Sequence, residues 1–131
     1  MINSGMFDYV NVLGKAASAS YLRETVIANN IANDDTPGYQ RQDVEFSSVL
    51  KDELIKIKYK NMDQAYHAVN KRLDHLEPII YDDYAGYDYR IDGNNVDIDT
   101  ENVYLAENQI KYNAIMDSIN KDFKNLASVM K

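Results

Sequence analysis

Side chains that could move a proton or hold a cation are mostly the 21 Asp and Glu of this chain, and they are scattered, with no spacing that builds a site. His67 and His75 lie eight positions apart in one polar stretch, with no carboxylate placed to complete a metal-ligand motif, so they read as surface or capping histidines. Asp92, Asn94 and Asp97 form an acidic cluster that invites a calcium reading. Gly93 stands at the wrong position for a calcium loop, however, and the closing glutamate is missing. The chain has no nucleophile elbow, phosphate loop or glycine-rich nucleotide motif. With no cysteine, disulfide frameworks, thiolate chemistry and cysteine-ligated zinc are excluded. The expectation is a protein that is not an enzyme, with no catalytic residue, no cofactor and no metal.

The net charge of −7 argues against nucleic acid or an anionic membrane surface as a partner. No apolar run approaches a membrane span, and direct lipid binding is not expected. Met1 to Val12 lacks a basic region followed by an apolar core, so a cleaved signal peptide is not expected either. The 131 residues suit one domain with a modest core.

The elements that would position any site are clearest at the two ends. From about Met6 to Asn33 the chain is free of proline, and Val10, Leu13, Ala17, Ile27 and Ile31 fall on one helical stripe, widened by Val12, Ala16, Ala19 and Val26. Polar side chains then accumulate at Asn33 to Asp35 and compete for the backbone bonds that would continue a helix. Thr36 precedes a proline and is pushed toward extended geometry. Pro37 suits the second position of a turn, and Gly38 can supply the positive φ wanted at the third. This predicts a hard helix stop and a tight reversal, with Tyr39 packing back.

At the other end, Thr100 to Met130 contains no glycine or proline. Leu105, Tyr112, Met116, Ile119, Phe123, Leu126 and Met130 recur at alternating three-four spacing, with Gln109 the one polar member. That is the seam of a helix packed in a coiled coil. Asp99 or Thr100 is expected to cap it, with Glu101 in the favourable first turn.

Between the helices, Gln40 to Glu45 reads as loop or extended chain. Phe46 to Lys60 is helical through Phe46, Val49, Leu50, Leu54 and Ile57. Asn61 to Glu77 carries a weaker stripe of Met62, Ala65, Tyr66, Val69, Leu73 and Leu76. Ile79 to Asp99 is tyrosine-rich and suits extended geometry on both sides of the Asp92-Gly93-Asn94-Asn95 turn signal.

The wording of two stretches goes further than their physics. Asn29-Asn30-Ile31-Ala32-Asn33 with Thr36-Pro37-Gly38-Tyr39 resembles the N-terminal signature of the bacterial flagellar rod and hook proteins. Gly93-Asn94-Asn95-Val96-Asp97, followed by Glu101, Asn108, Gln109 and Tyr112, is similar to their C-terminal signature. Asn102 and Asn113 depart from it, standing where methionine and glutamine are usual. The Asp-Gly-Asn-Asn-Val-Asp form in so short a chain most resembles the proximal rod member. Phe46 and Leu50 have the spacing of the motif by which such subunits engage the flagellar export apparatus.

The resemblance implies a single rod-protein domain over 1–131. It would be mainly α, with an N-terminal helix in 1–33 and a C-terminal helix in 100–131 paired as an antiparallel coiled coil. An irregular, partly extended or β-hairpin middle with one or two shorter helices would fill 34–99. It implies a structural subunit of the basal-body rod that self-associates in a helical tube and transmits torque toward the hook. Its partners would be other rod proteins, the adaptor FliE, the membrane ring and the export apparatus. A soluble helical adaptor or export chaperone would share the amphipathic helices and is the alternative.

Overall fold

A computed structural model describes residues 4–56, 61–84 and 90–130, with side chains from residue 7 onward. Two long helices dominate it: α1 (Ser4–Ala32) and α4 (Ile98–Val129). Between them lie strand β1 (Gln42–Glu45), helices α2 (Ser47–Lys56) and α3 (Met62–Asn70), a 3₁₀ turn at Leu73–His75 and strand β2 (Ile79–Asp82). Ser20 meets Asn108 and Asn30 meets Glu101, so α1 and α4 run antiparallel along each other.

α1 stops where its polar residues begin. The Asn33 N–H and side-chain amide both donate to the Asn29 carbonyl, closing the last turn locally. The Tyr39 N–H then donates to the Thr36 carbonyl at 3.2 Å, and Gly38 has φ +71°. This is the reversal that Pro37 and Gly38 require.

The middle differs from the expected order of extended pieces. β2 pairs antiparallel with β1, in the register Gln42↔Asp82 to Glu45↔Ile79, so the strands come from either side of α2 and α3. The Asp92–Asn95 turn packs on α1 instead of joining two strands. Residues 85–89, with the expected Tyr87 and Tyr89, and the end of the expected second helix, including Ile57, lie outside the described residues.

Val12, Val69 and Leu76 form a core cluster, with Phe46, Val49, Leu50, Leu54, Tyr66 and Leu73 packed around it. Further along α1, Ala19, Val26 and Ile27 are buried, as is Val96. Ile27 of the expected stripe and Val12, Ala19 and Val26 of its widening thus supply the buried centre, while Val10, Leu13, Ala16, Ala17 and Ile31 are half-buried.

The α4 seam is rotated from its expected register. Leu105, Tyr112, Ile119 and Leu126 are half-buried as the spacing predicts, and so is Met116. Phe123 and Met130, however, are 48% and 69% exposed, and Gln109 is exposed as well. The buried residues of α4 are Glu101 and Asn108. The packed line therefore runs 101, 105, 108, 112, 115, 119, 122, 126. It keeps four expected positions and takes their neighbours on one side for the rest. The physical reason is that Glu101 and Asn108 find buried partners on α1 and around β1, which overrides the apolar count. The cap also lies earlier than expected. Asp97 accepts from the Asp99 and Thr100 N–H groups and from the Thr100 hydroxyl.

Candidate functional site

The two stretches with family-like wording, some sixty residues apart, meet at the end of α1. Asn94 is fully buried, and its amide donates to the carbonyls of Asn33, Asp34 and Thr36 at 2.8–2.9 Å. Two hydrogens thereby serve three carbonyls that the helix end and turn leave without helical partners. Its oxygen accepts from the Val96 N–H, while its own N–H donates to Asp92. The Gly38 N–H donates to the Asp92 carbonyl at 2.8 Å, and Gln40 donates to the Gly93 carbonyl. Gly93, at φ +74°, lies so that an added Cβ would sit 3.8 Å from Gly38 Cα, an ordinary contact. Backbone conformation, not space, is what asks for glycine at both positions. Asn95 accepts from the Arg41 N–H and donates to the Asp83 carbonyl, and Arg90 bridges Asp34 and Asp92.

Beneath this turn lies a cluster of ion pairs. Glu101 has no exposed surface and accepts from Arg41 Nε and from the Asn30 amide. Arg41 also reaches Asp83 at 2.6 Å and Asp43 at 3.0 Å. Arg23 grips Asp43 with two bonds, and the Tyr104 ring lies 5.0 Å from the Arg41 guanidinium and 5.7 Å from that of Arg23. Asn30 is the hinge pin: it donates to Gln42 O and Glu101 and accepts from the Gln42 N–H and the Tyr39 hydroxyl.

The cluster sets its own ionisation. Burial alone would lower the Arg41 pKa, but the Glu101 and Asp43 carboxylates outweigh it and hold the guanidinium firmly charged. Burial would likewise raise the Asp43 carboxyl, yet bonds from Arg23, the Val44 N–H and Arg41 keep it below the usual carboxylate range. Burial, then Glu101 and Asp82, pushes the Tyr39 phenol up. An arrangement whose donors and acceptors satisfy one another clasps chain segments together; it presents no reactive group to a substrate.

The sequence-predicted residues divide around this clasp. Asn30, Asn94, Asn95 and Val96 are buried in it, Asn33, Tyr39 and Gly93 half-buried; Asn29, Thr36, Pro37 and Gly38 form its exposed rim, and Asp97 the cap of α4. Asn108 bonds to the Ser20 hydroxyl and carbonyl, whereas Gln109, Asn102 and Asn113 face solvent. Phe46 and Leu50 pack on the Val12 core and wall a groove of about 430 Å³ shared with Ala16, Ala19, Tyr81 and Ile115. His67 contacts Asp8 at 2.6 Å, and His75 is exposed. Asp92, Asn94 and Asp97 serve as turn and cap residues. Among the described residues no three His, Asp or Glu side chains gather as metal ligands.

Arg41, Asp43 and Arg23 carry no signal in the sequence, because each reads as a solvated charge until its partner is placed. Glu101 and Asn108 were legible in one respect: seven positions apart, they are polar residues at the spacing of a seam.

A family model described as "Flagella basal body rod protein" matches residues 11–40. The chain is similar to the flagellar basal body rod protein FlgB of Bacillus subtilis, 36% identical over 90% of this chain and 89% of the relative. It is also similar to FlgB of Escherichia coli, at 33% identity over 82% of each, and of Proteus mirabilis (strain HI4320), at 32% over 88% of each.

Proposed function

The chain belongs to the FlgB family of flagellar basal-body rod proteins, structural proteins of the rod, and from that premise we propose that it builds the proximal end of the rod. In this role it stacks with copies of itself and with other rod proteins in a helical tube, beside the FliE adaptor and the membrane ring. It carries torque outward to the hook, and motility depends on it. The observation that supports this most is the clasp. Both signature stretches are used to lock α1 to α4 at one end, giving a stiff helix pair of the kind a drive shaft needs. Repeated head-to-tail contacts between such pairs generate an open cylinder. On this reading the chain reaches the envelope through the export apparatus and engages it through Phe46 and Leu50.

Deleting the gene in its host and imaging the envelope by electron cryotomography tests the placement. Basal bodies that stop at the membrane ring are expected; intact flagella with no second gene copy reject it. The export role has its own test, because Phe46 and Leu50 also pack in the core. Secretion should fail when both are replaced by alanine and persist in Leu54→Ala, which loosens the same core. Equal secretion by the two variants rejects the role.

A further inference from the structure

Among the described residues, the outer edge of β1 is largely satisfied by side chains and that of β2 is open. The Asp83 N–H donates to the Arg41 carbonyl at 2.8 Å, so Arg41 and Asp83 form a hydrogen-bonded pair. Alternation along an antiparallel ladder makes Asp43–Tyr81 and Glu45–Ile79 the next such pairs. The backbone groups of Gln42 and Val44 on β1, and of Ile80 and Asp82 on β2, therefore point away from the sheet. On β1 three of these four outward groups have partners: Asn30 bonds to both the N–H and the carbonyl of Gln42, and the Asp43 carboxylate takes the Val44 N–H. On β2 no described residue meets the outward N–H or carbonyl of Ile80 or Asp82.

The side chains at this edge are equally uncovered, with Ile79, Ile80 and Tyr81 each 40–55% exposed. An apolar strand with an unpaired edge is the template on which a further extended chain adds. The charge around it is one-sided. Glu45 on β1 and Asp82 on β2 are exposed, and among the described residues Lys15 is engaged by Glu77, Lys111 by Glu107 and Arg41 by the buried cluster. A second copy of β2 would bring more acids to the edge, so like charge disfavours it.

We propose that the outer edge of β2 docks an extended segment of another protein, one that alternates apolar residues with lysine or arginine and adds as a third strand through the backbone of Ile80 and Asp82. The inference needs only the open edge, and it stands or falls independently of the rod assignment.

A short synthetic peptide alternating valine and lysine, with a valine–glutamate peptide as control, provides the test on the full chain by amide NMR. The lysine peptide is expected to slow exchange of the Ile80 and Asp82 amides, and the glutamate peptide to leave them unchanged. Ile80→Pro removes an outward N–H that the β1–β2 ladder does not use, a substitution an edge strand tolerates. It should keep the chain's circular dichroism and weaken peptide binding about tenfold. Asp82→Lys should shift the preference toward the glutamate peptide. Equal binding of both peptides, no amide protection by either, or undiminished binding by a folded Ile80→Pro variant overturns the proposal. So does protection of the edge that appears without peptide and grows with protein concentration, which would assign it to a second copy.

Discussion

The two ends of the α1–α4 pair are built on different principles. At the Asn30 end, contact is made by buried polar groups: Glu101, Arg41 and Asn30 in the ion cluster, and Asn94 over the last carbonyls of α1. At the far end, α4 exposes Phe123, Val129 and Met130, and one carboxylate oxygen of Asp122 is buried with no partner among the described residues. There α1 leans instead on α3, where Tyr66 meets Tyr9 edge-on and Asp8 takes bonds from His67 and Asn70. The difference teaches that a polar contact can specify one register and one angle, whereas an exposed apolar stripe specifies only that something should cover it. One end is closed within the subunit, and the other leaves an apolar stripe exposed.

The sharpest way to break the contrast is at Arg41. Arg41→Ala leaves Glu101 charged and fully buried with only Asn30 beside it, and should cost about 3–5 kcal/mol in urea unfolding. Arg41→Lys should recover little of this, since an ammonium cannot serve three carboxylates in the fork geometry. Asn94→Ala comes next: it removes the side-chain partner of the Asp34 carbonyl and of the buried Val96 N–H, and should cost about 2–3 kcal/mol by the same measurement.

Gly38→Ala tests backbone alone. Nothing lies within 4 Å of the added Cβ, so only the positive φ opposes it, at about 1–2 kcal/mol. The lock should also answer to acid. A carboxyl whose folded pKa is depressed stabilises the fold above its unfolded value and loses that contribution as pH falls through the folded one. For Asp43 that window opens below about pH 4. Asp43→Asn should therefore show a flatter stability profile there than the parent chain, and parallel profiles would remove Asp43 from the lock. The smallest effect is expected at the open end. Phe123→Ala should cost less than about 1 kcal/mol in the isolated subunit, because half the ring is already in water. A larger loss would mean that the far end is closed within the subunit too.

Reading the sequence located the helices, the turn and the two stretches that meet at the clasp. It placed the α4 seam a fraction of a turn away, because counting apolar residues favours Phe123 and Met130 over Glu101 and Asn108. It also took β1 for loop or extended chain, since four residues with one apolar side chain carry almost no pattern until β2 is beside them.

What the sequence determined by itself was whatever depends on neighbours along the chain. Pro37 sets its own φ, and Gly38 alone tolerates the turn's positive φ. The tertiary structure alone decided which charges are buried. Glu101 looks like a first-turn residue facing water until Arg41 and Asn30, some sixty and seventy residues earlier, are brought against it. A buried charge is tolerated only when its partners are in place, and their placement is a property of the whole fold.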